Sequence, residues 1–298
     1  MADPIRRKII FDTDLGGDCD DTGAAAVLCN LAKAGEAEIL AATYCIGNPW
    51  GAYFLKYELE FFGFGDVPVG VLKDEGFMWE PNYAKYSRPY VERMQIPTDE
   101  SEDAVRVLRR TLAQNGGVRD ITLVAVGPLR NIANLLKSGA DDLSPKTGRE
   151  LIAENVTEFV TMLGNFTGSG AVEWNVLMDI PSAQLCVAEM PVPVVFVPWE
   201  IGGHIITGHM LETVGEDHPV RAAYTLYADG KHHTRMSWDP ITVYCAVRKD
   251  TPLYRREPLH AVVDTRGETV AQAGNDMVCI VQAASDAEIV AAIDPLML

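Results

Sequence analysis

Residues 8–26 read KIIFDTDLGGDCDDTGAAA, and this stretch contains the first predicted strand, loop and helix. It opens with the apolar run KIIFD at 8–12, which is typical of a buried strand. Five aspartates lie between positions 12 and 21, and the small residues after them favour the start of a helix. A strand, an acidic loop and a helix in this order form the beginning of a β-α-β unit.

Similar apolar runs recur along the chain, separated by stretches with helical spacing. Near-continuous hydrophobic strands are what a parallel sheet covered on both faces requires. The pattern predicts an α/β fold with an open, mostly parallel, Rossmann-like sheet flanked by helices. The further predicted strands are EILAATYC at 38–45, VPVGVL at 67–72, ITLVAV at 121–126, EFVTML at 158–163 and VPVVFV at 192–197, and the predicted helices cover 20–35, 102–116 and 129–139.

The composition limits the partners of the chain. Its 298 residues include 25 Lys and Arg against 42 Asp and Glu, a formal net charge of −17 at pH 7. Nucleic acids and anionic membranes both attract clustered basic residues, so we expect neither as a partner. No apolar run approaches the ~18 residues of a membrane-spanning helix. Since no Gly-, Ser- or Pro-rich linker divides the sequence, we expect a single domain over residues 1–298.

The cysteines indicate a reducing compartment. None of them forms a C-x-x-C pair, and most lie in apolar contexts, where a thiol behaves as a small hydrophobic group. The first residues do not have the pattern of a signal peptide, and we expect a cytoplasmic protein. The cysteines are Cys19, Cys29, Cys45, Cys186, Cys245 and Cys279.

The aspartates after the first strand predict a divalent metal ion. So many carboxylates at one strand end repel one another, and a bound cation relieves that repulsion. Oxygen ligands without paired His or Cys favour Ca²⁺ or Mg²⁺, and a flexible acidic loop favours Ca²⁺. The alternative is that Asp20 and Asp21 cap the following helix. An EF-hand is excluded, because Gly16 stands at a ligand position and Gly23 replaces the closing glutamate.

The acidic stretch resembles the D-x-D-x-G-x-D-x-D-D signature of the inosine–uridine-preferring nucleoside hydrolase family. Four further features of that family follow in the same order. They are a loop asparagine, an x-G-P-L-x-N turn, a G-N…E-[FW]-N pattern and a late D-P. Here they read GN at 47–48, VGPLRN at 126–131, GN at 164–165 with EWNV at 173–176, and WDP at 238–240.

The resemblance implies a calcium-dependent hydrolase that releases ribose and a free base from a ribonucleoside or a related N-riboside. Asp14 would be both metal ligand and general base. Asp21, Asp239 and the carbonyl of Val126 would complete the protein ligands of Ca²⁺, and Asn48 would hold Asp14 in position. Relatives act in purine and pyrimidine salvage and are commonly homodimers or homotetramers, which we expect here.

The same resemblance assigns residues to the sugar. Asp12 would support a ligand rather than bind the ion, and Asp20 would accept a hydrogen bond from the 2′-hydroxyl. Asn165, Glu173 and Asn175 would contact the ribose hydroxyls, although an asparagine in a loop also commonly serves a turn. A substrate without the 2′-hydroxyl should be poor. The role of Asp18 stays open.

The leaving-base side departs from the family pattern. Many members carry His before the late aspartate, whereas this chain has Ser-Trp-Asp at 237–239, so Trp238 can stack on the base but not protonate it. Trp79 and Tyr83 are candidates for a flap over the base. Substitute acids are sought among His204, His209, His232 and His233.

Two other interpretations remain. A haloacid-dehalogenase-type phosphatase also opens with a strand and D-x-D, with Asp12 as nucleophile and Asp14 as acid/base. However, no Lys lies in the loop to hold a phosphoryl group. A nucleoside- or sugar-binding protein with a vestigial metal site is the other alternative.

Overall fold

A central sheet of nine strands organises the computed structural model, which describes residues 6–74, 76, 77 and 84–298. The strand order is β10-β11-β7-β6-β5-β1-β2-β3-β4. Every neighbouring pair is parallel except β10 and β11, which form an antiparallel hairpin. The strands are β1 (Arg7–Thr13), β2 (Ala37–Tyr44), β3 (Val69–Val71), β4 (Glu102–Asp103), β5 (Ile121–Ala125), β6 (Val156–Met162), β7 (Val194–Val197), β10 (Tyr254–Val263) and β11 (Thr269–Gln282).

Helices connect the strands, and a short antiparallel pair lies apart from the main sheet. The short pair is β8 (Ile206–Thr207) and β9 (Arg235–Met236), and 3-10 turns cover His209–Thr213 and Asp294–Met297. The α-helices are α1 (Asp20–Lys33), α2 (Trp50–Phe61), α3 (Ser87–Met94), α4 (Ala104–Gln114), α5 (Arg130–Lys137), α6 (Gly148–Asn155), α7 (Trp174–Met178), α8 (Ile180–Glu189), α9 (Trp199–Gly202), α10 (Pro219–Tyr227), α11 (Trp238–Val247) and α12 (Asp286–Ile293). Among the described helices, none has the length and apolar run needed to cross a membrane.

The sheet separates two apolar layers, as its near-continuous hydrophobic strands require. Along β1, Ile9 and Phe11 join the layer that contains α1, α2 and α11. The intervening Ile10 joins the opposite layer, which contains α4, α5 and α8. Since alternate side chains of a strand point to opposite faces, both faces of β1 are buried. The predicted α/β fold with a mostly parallel sheet is confirmed.

Each predicted strand is present, and the differences lie at the ends and the edges. The run at 67–72 contributes only the three residues of β3, and the predicted helix at 102–116 begins at Ala104, after the two residues of β4. Asp103 caps that helix, because its side chain accepts a hydrogen bond from the backbone N–H of Arg106. The hairpin of β10 and β11 was not predicted, since its strands carry mostly exposed or half-buried residues.

Candidate active site

A cavity of about 360 Å³ opens at the carboxyl ends of the central strands. Asp14 follows β1 and Val126 follows β5, and both line it. Met162, the last residue of β6, lines it as well. Ligands of open α/β sheets bind at this edge, where the strand order leaves a crevice. The parallel sheet therefore gathers residues that are far apart in sequence around one cavity.

Three buried aspartates converge within this cavity. Asp20, Asp21 and Asp239 each offer one carboxylate oxygen, and these oxygens all lie within 4.8 Å of one another. Asp20 and Asp21 stand in the first turn of α1, and Asp239 stands in the first turn of α11. The positive ends of two helix dipoles therefore meet at the cluster and favour negative charge there.

The spacing of the three carboxylates is compatible with one divalent cation. Ca²⁺–oxygen bonds are about 2.3–2.6 Å long, so two oxygens around one ion are separated by at most about 5 Å. Burial, followed by repulsion from neighbouring carboxylates, raises the pKa of Asp20, Asp21 and Asp239 well above the ordinary range. A divalent cation reverses that effect, because it stabilises the charged carboxylates. The donor set of buried oxygens therefore fits a hard cation.

Asp20 also holds the cluster together. Its Oδ2 accepts hydrogen bonds from the backbone N–H groups of Trp238 at 3.1 Å and Asp239 at 3.2 Å. Asp20 thus caps α11, whose own N-cap residue Ser237 makes no side-chain cap hydrogen bond. The N-cap of α1 is Cys19, which makes no such bond either. The alternative that Asp20 caps the following helix does not match these contacts, because the helix that Asp20 caps is α11, which is distant in the chain.

Asp14 lies beside the cluster rather than within the set of three. Its carboxyl group hydrogen-bonds to that of Asp21, and burial raises the pKa of Asp14 to about 7. The side chain fits because residue 127 is glycine: a Cβ there would lie 2.6 Å from Asp14 Oδ1. Thr13 Oγ1 donates a hydrogen bond to Asp21 Oδ1 and fixes that carboxylate.

Asp12 is turned into the sheet. Its Oδ1 accepts hydrogen bonds from Thr43 Oγ1 on β2 and from Asn131 Nδ2, at 2.8 Å, on α5. Asn131 Nδ2 also donates to the carbonyl of Tyr44 at 3.1 Å. Asp12 does not line the cavity, so its contacts connect two strands and a helix beneath the aspartate loop.

Asn48 is buried behind the aspartate loop. Its Oδ1 accepts a hydrogen bond from the backbone N–H of Trp50 at 3.1 Å. Its Nδ2 has no hydrogen-bond partner among the described residues, so the structure contains no bond from Asn48 to Asp14. A buried donor without a partner is costly, and it is available to a ligand.

Two of the three residues expected at the sugar line the cavity. Glu173 caps α7 by accepting from the backbone N–H groups of Asn175 at 2.8 Å and Val176 at 3.2 Å. Asn175 Nδ2 donates to the carbonyls of Val126 at 2.8 Å and Met162 at 3.1 Å. Glu173 therefore stabilises the start of α7, and Asn175 stabilises the strand ends at Val126 and Met162. Burial raises the pKa of Glu173 to about 7.

Asn165 does not line the cavity. Its Oδ1 accepts hydrogen bonds from the backbone N–H of Thr167 at 3.0 Å and from its Oγ1 at 2.6 Å. This is the turn role that the sequence analysis named as the alternative.

Aromatic side chains form the rest of the cavity. Trp238 Nε1 donates to the carbonyl of Trp199 at 2.8 Å. Its ring lies against Gly202, where a Cβ would lie 2.4 Å from Trp238 Cδ1, so only glycine fits. Trp174 and Tyr227 line the same cavity. Trp238 therefore has a fixed orientation in the wall of the cavity.

Arg235 is a site residue that the sequence analysis missed. Its Nε donates to Asp18 Oδ1 at 2.9 Å and its Nη2 donates to Asp18 Oδ2. Asp18, whose role the sequence leaves open, is thus the ion-pair partner of Arg235. The guanidinium carbon lies 5.1 Å from the ring centroid of Tyr227 and 5.3 Å from that of Trp238. The one available signal was its position three residues before Trp238.

The candidate histidines lie elsewhere. His204 Nε2 contacts Gln282 at 3.0 Å, and His209 Nε2 contacts the carbonyl of Ile206 at 3.2 Å. Neither they nor His232 or His233 line the cavity in the part of the chain that the structure describes. Trp79 and Tyr83, the candidate flap residues, lie outside the described residues.

Residues 9–296 match the family model of the inosine-uridine preferring nucleoside hydrolases. The chain therefore belongs to this family and is an N-glycosyl hydrolase. The resemblance seen in the sequence is confirmed, and the match favours this family over a phosphatase. A comparison with the curated proteins gives no match.

Solved structures have the same fold. A plant nucleoside hydrolase, PpNRh1, and an inosine–guanosine nucleoside hydrolase each have a TM-score of 0.71, 20% identity and 98% coverage of both chains. The type III effector protein XopQ, solved in complex with adenosine diphosphate ribose, has a TM-score of 0.72 at 14% identity. That match covers 99% of this chain and 93% of the effector.

Proposed function

We propose that the protein hydrolyses the N-glycosidic bond of a ribonucleoside, or of a related N-riboside, in a Ca²⁺-dependent reaction. The convergence of Asp20, Asp21 and Asp239 beside Asp14 carries this proposal, because it supplies ligands and a base in one cavity. The products are ribose and the free base. The homodimer or homotetramer, the single domain and the cytoplasmic location stay predictions from the sequence.

The residues that would hold the ion are Asp14, Asp21 and Asp239, together with the carbonyl oxygen of Val126. That carbonyl already accepts a hydrogen bond from Asn175, and its second lone pair is available. When bound, Ca²⁺ supplies Lewis acidity, which lowers the pKa of coordinated water and orients the sugar hydroxyls. Asp20 keeps Asp239 in place through the N-terminus of α11.

Asp14 acts as the general base that accepts the proton of the attacking water. A carboxylate positioned beside the attacking water can accept its proton, and general-base catalysis contributes about 10²–10⁴-fold. Its restricted space against Gly127 fixes its direction. Among the described residues, Asn48 makes no hydrogen bond to Asp14, so we assign it a contact with a bound ligand through its unpartnered Nδ2.

The sugar and the base occupy different walls. Glu173 and Asn175 contact the ribose hydroxyls, Asp20 accepts from the 2′-hydroxyl through the oxygen that does not cap α11, and Trp238 stacks on the heterocycle. Asn165 is proposed to reach the sugar only if it leaves its turn with Thr167. Buried polar groups that pair with hydroxyls discriminate strongly against a 2′-deoxy substrate.

A reducing-sugar assay over purine and pyrimidine ribosides tests the proposal. We expect sugar release that stops when a chelator is added and returns with Ca²⁺ in excess of it, but not with Mg²⁺. The matching 2′-deoxyribosides should release little sugar. Tight riboside binding without sugar release would contradict the proposal and favour the binding-protein alternative.

A further inference from the structure

The departing base needs electrostatic help that no histidine in the described cavity provides. Breaking the C–N bond leaves an electron pair on the base nitrogen, and donors aimed at such developing charge stabilise the transition state. The described lining contains acids, aromatic rings and one cationic side chain, Arg235. Arg235 is therefore the one positively charged donor in the described lining that could face the departing base.

The guanidinium of Arg235 is fixed in position. Asp18 binds it through both carboxylate oxygens, and Tyr227 and Trp238 lie within cation–π distance of it. Nη1 also contacts the sulfur of Met236 at 3.3 Å. A fixed donor costs little reorganisation when charge develops, which is the condition for efficient electrostatic catalysis.

Donors remain after these contacts. A guanidinium has five N–H groups. Asp18 takes two of them and the weak contact to Met236 takes one, so two are left. The side chain retains 23% exposure in a cavity wall that also contains Trp238, the proposed stacking partner of the base.

We propose that Arg235 is a catalytic residue of the leaving-base side, where it donates a hydrogen bond to an acceptor atom of the departing heterocycle. This inference rests on the proposed function. Because a guanidinium stays protonated in proteins, Arg235 stabilises the leaving base as an anion and does not protonate it. Asp18 is its positioning residue.

The step balances without a general acid. The water oxygen forms a bond to the anomeric carbon while the C–N bond breaks, and the electron pair goes to the base nitrogen. The proton of the water goes to Asp14. After the step the anionic base takes a proton from solvent, and Asp14 returns its proton to solvent.

The test compares two leaving groups in one variant. Arg235→Met should lower kcat/KM for a ribonucleoside by about 10²-fold, the usual cost of removing one such donor. It should leave p-nitrophenyl β-riboside hydrolysis nearly unchanged, because p-nitrophenolate departs without help. Equal losses on both substrates would overturn the inference, since they would indicate a structural role in the Asp18 loop.

Further variants make the test decisive. Arg235→Lys keeps the charge but not the paired contact with Asp18. Its loss of kcat/KM should therefore be smaller than that of Arg235→Met and still confined to the ribonucleoside. If Arg235→Met fails to fold, Arg235→Lys gives the same comparison of the two substrates. Arg149→Met removes an exposed arginine paired with Glu189 and should change neither rate. If the unchanged protein cleaves neither substrate, the proposed function itself fails. If it cleaves both substrates, but the Arg235 variants lose the same fraction of activity on each, only the proposed role of Arg235 fails.

Discussion

The two halves of the cavity are built in different ways. The acidic half consists of Asp14, Asp20, Asp21 and Asp239, which stand at a strand end and in the first turns of two helices. The aromatic half consists of Trp199, Tyr227, Arg235 and Trp238, which come from the short elements between β7 and the start of α11.

The acidic half is bonded to the strands and helices of the central fold, whereas the aromatic half is held mainly by contacts among its own short segments. Asp20 caps α11 and Asp12 connects β1, β2 and α5, so these side chains support the framework around them. The aromatic half depends on the packing of rings against one another and against Gly202. We therefore expect changes in the acidic half to stop the chemistry, and changes in the aromatic half to alter the recognition and departure of the base.

The largest expected effect is that of Asp14→Asn in the acidic half. The variant keeps the shape of the side chain but loses the base, so kcat should fall by about 10²–10⁴-fold. Steady-state kinetics and a melting curve measure the two consequences, and Tm should change little. Asp99→Asn, on an exposed loop, is the matched control. Unchanged turnover would remove Asp14 from the mechanism.

Gly127→Ala tests whether the position of Asp14 matters as much as its charge. The new methyl group would lie 2.6 Å from Asp14 Oδ1 and 2.8 Å from Cys45 Sγ, so the carboxylate must move. A displacement of about 1 Å in a catalytic group can cost about 10²-fold in rate. Gly139→Ala, where nothing lies within 4 Å of the added carbon, should keep full activity. Equal rates in the two variants would argue against a constrained Asp14.

Trp238→Ala separates the two halves directly. Loss of stacking on the base should weaken ribonucleoside binding by about 1–3 kcal/mol, visible as a higher KM. Calcium affinity, measured by calorimetry, should stay the same, because only the backbone N–H of Trp238 contacts Asp20. A large fall in calcium affinity would show that the halves are not independent.

Asp20→Ala measures how much the capping of α11 by Asp20 contributes to the stability of the fold. Removing this cap of α11 should lower the free energy of unfolding by about 0.5–2 kcal/mol, as for other N-caps. Asp20→Asn retains a side-chain acceptor and should keep most of that stability. Denaturant unfolding with chelator present compares the two variants without a contribution from bound ion. If both variants unfold alike, the contacts to Trp238 and Asp239 do not stabilise the helix.

The smallest effect concerns Glu58, on α2 in the apolar layer behind the acidic half. Its carboxylate oxygens are buried without a hydrogen-bond partner among the described residues, and burial raises its pKa well above 4.5. The folded protein thus keeps this proton to a higher pH than the unfolded chain, so stability falls as pH rises above 4.5.

Glu58→Gln should remove this part of the pH dependence and raise the free energy of unfolding at neutral pH, because no proton then has to be kept against the solvent. Melting curves at pH 5 and pH 8 give the measurement. Glu60→Gln, exposed on the same helix, is the control. If Tm of Glu58→Gln changes between pH 5 and pH 8 as much as Tm of the unchanged protein does, then Glu58 does not keep its proton in the folded state.

The sequence predicted the acidic half and most of the sheet because both follow from local patterns. A parallel strand is apolar throughout, and its polar end marks the edge where ligands bind. The aspartates at 12–21 could therefore be proposed from the residues alone, whereas Asp239 was assigned only through the family resemblance, and the capping of α11 by Asp20 could not be proposed at all. That contact depends on how two helices meet, which no local pattern specifies.

Apart from Trp238, which stands in the late D-P motif, the aromatic half could not be predicted for the same reason, and neither could the hairpin of β10 and β11. Arg235 and Asp18 are ordinary charged residues in sequence, and only the fold brings them together. Asn165 shows the opposite situation: a motif suggests a sugar contact, whereas in this structure its side chain serves the local turn with Thr167. Short-range hydrogen bonds compete with functional roles for such residues.

Calcium titration of metal-depleted protein tests the central claim most directly, with ion binding and ribose release followed in the same sample. We predict that each chain binds a single ion at this site, that turnover rises in proportion to its occupancy, and that Asp239→Asn weakens both together. Full turnover in the depleted protein, or calcium binding that Asp239→Asn leaves unchanged, would contradict the account.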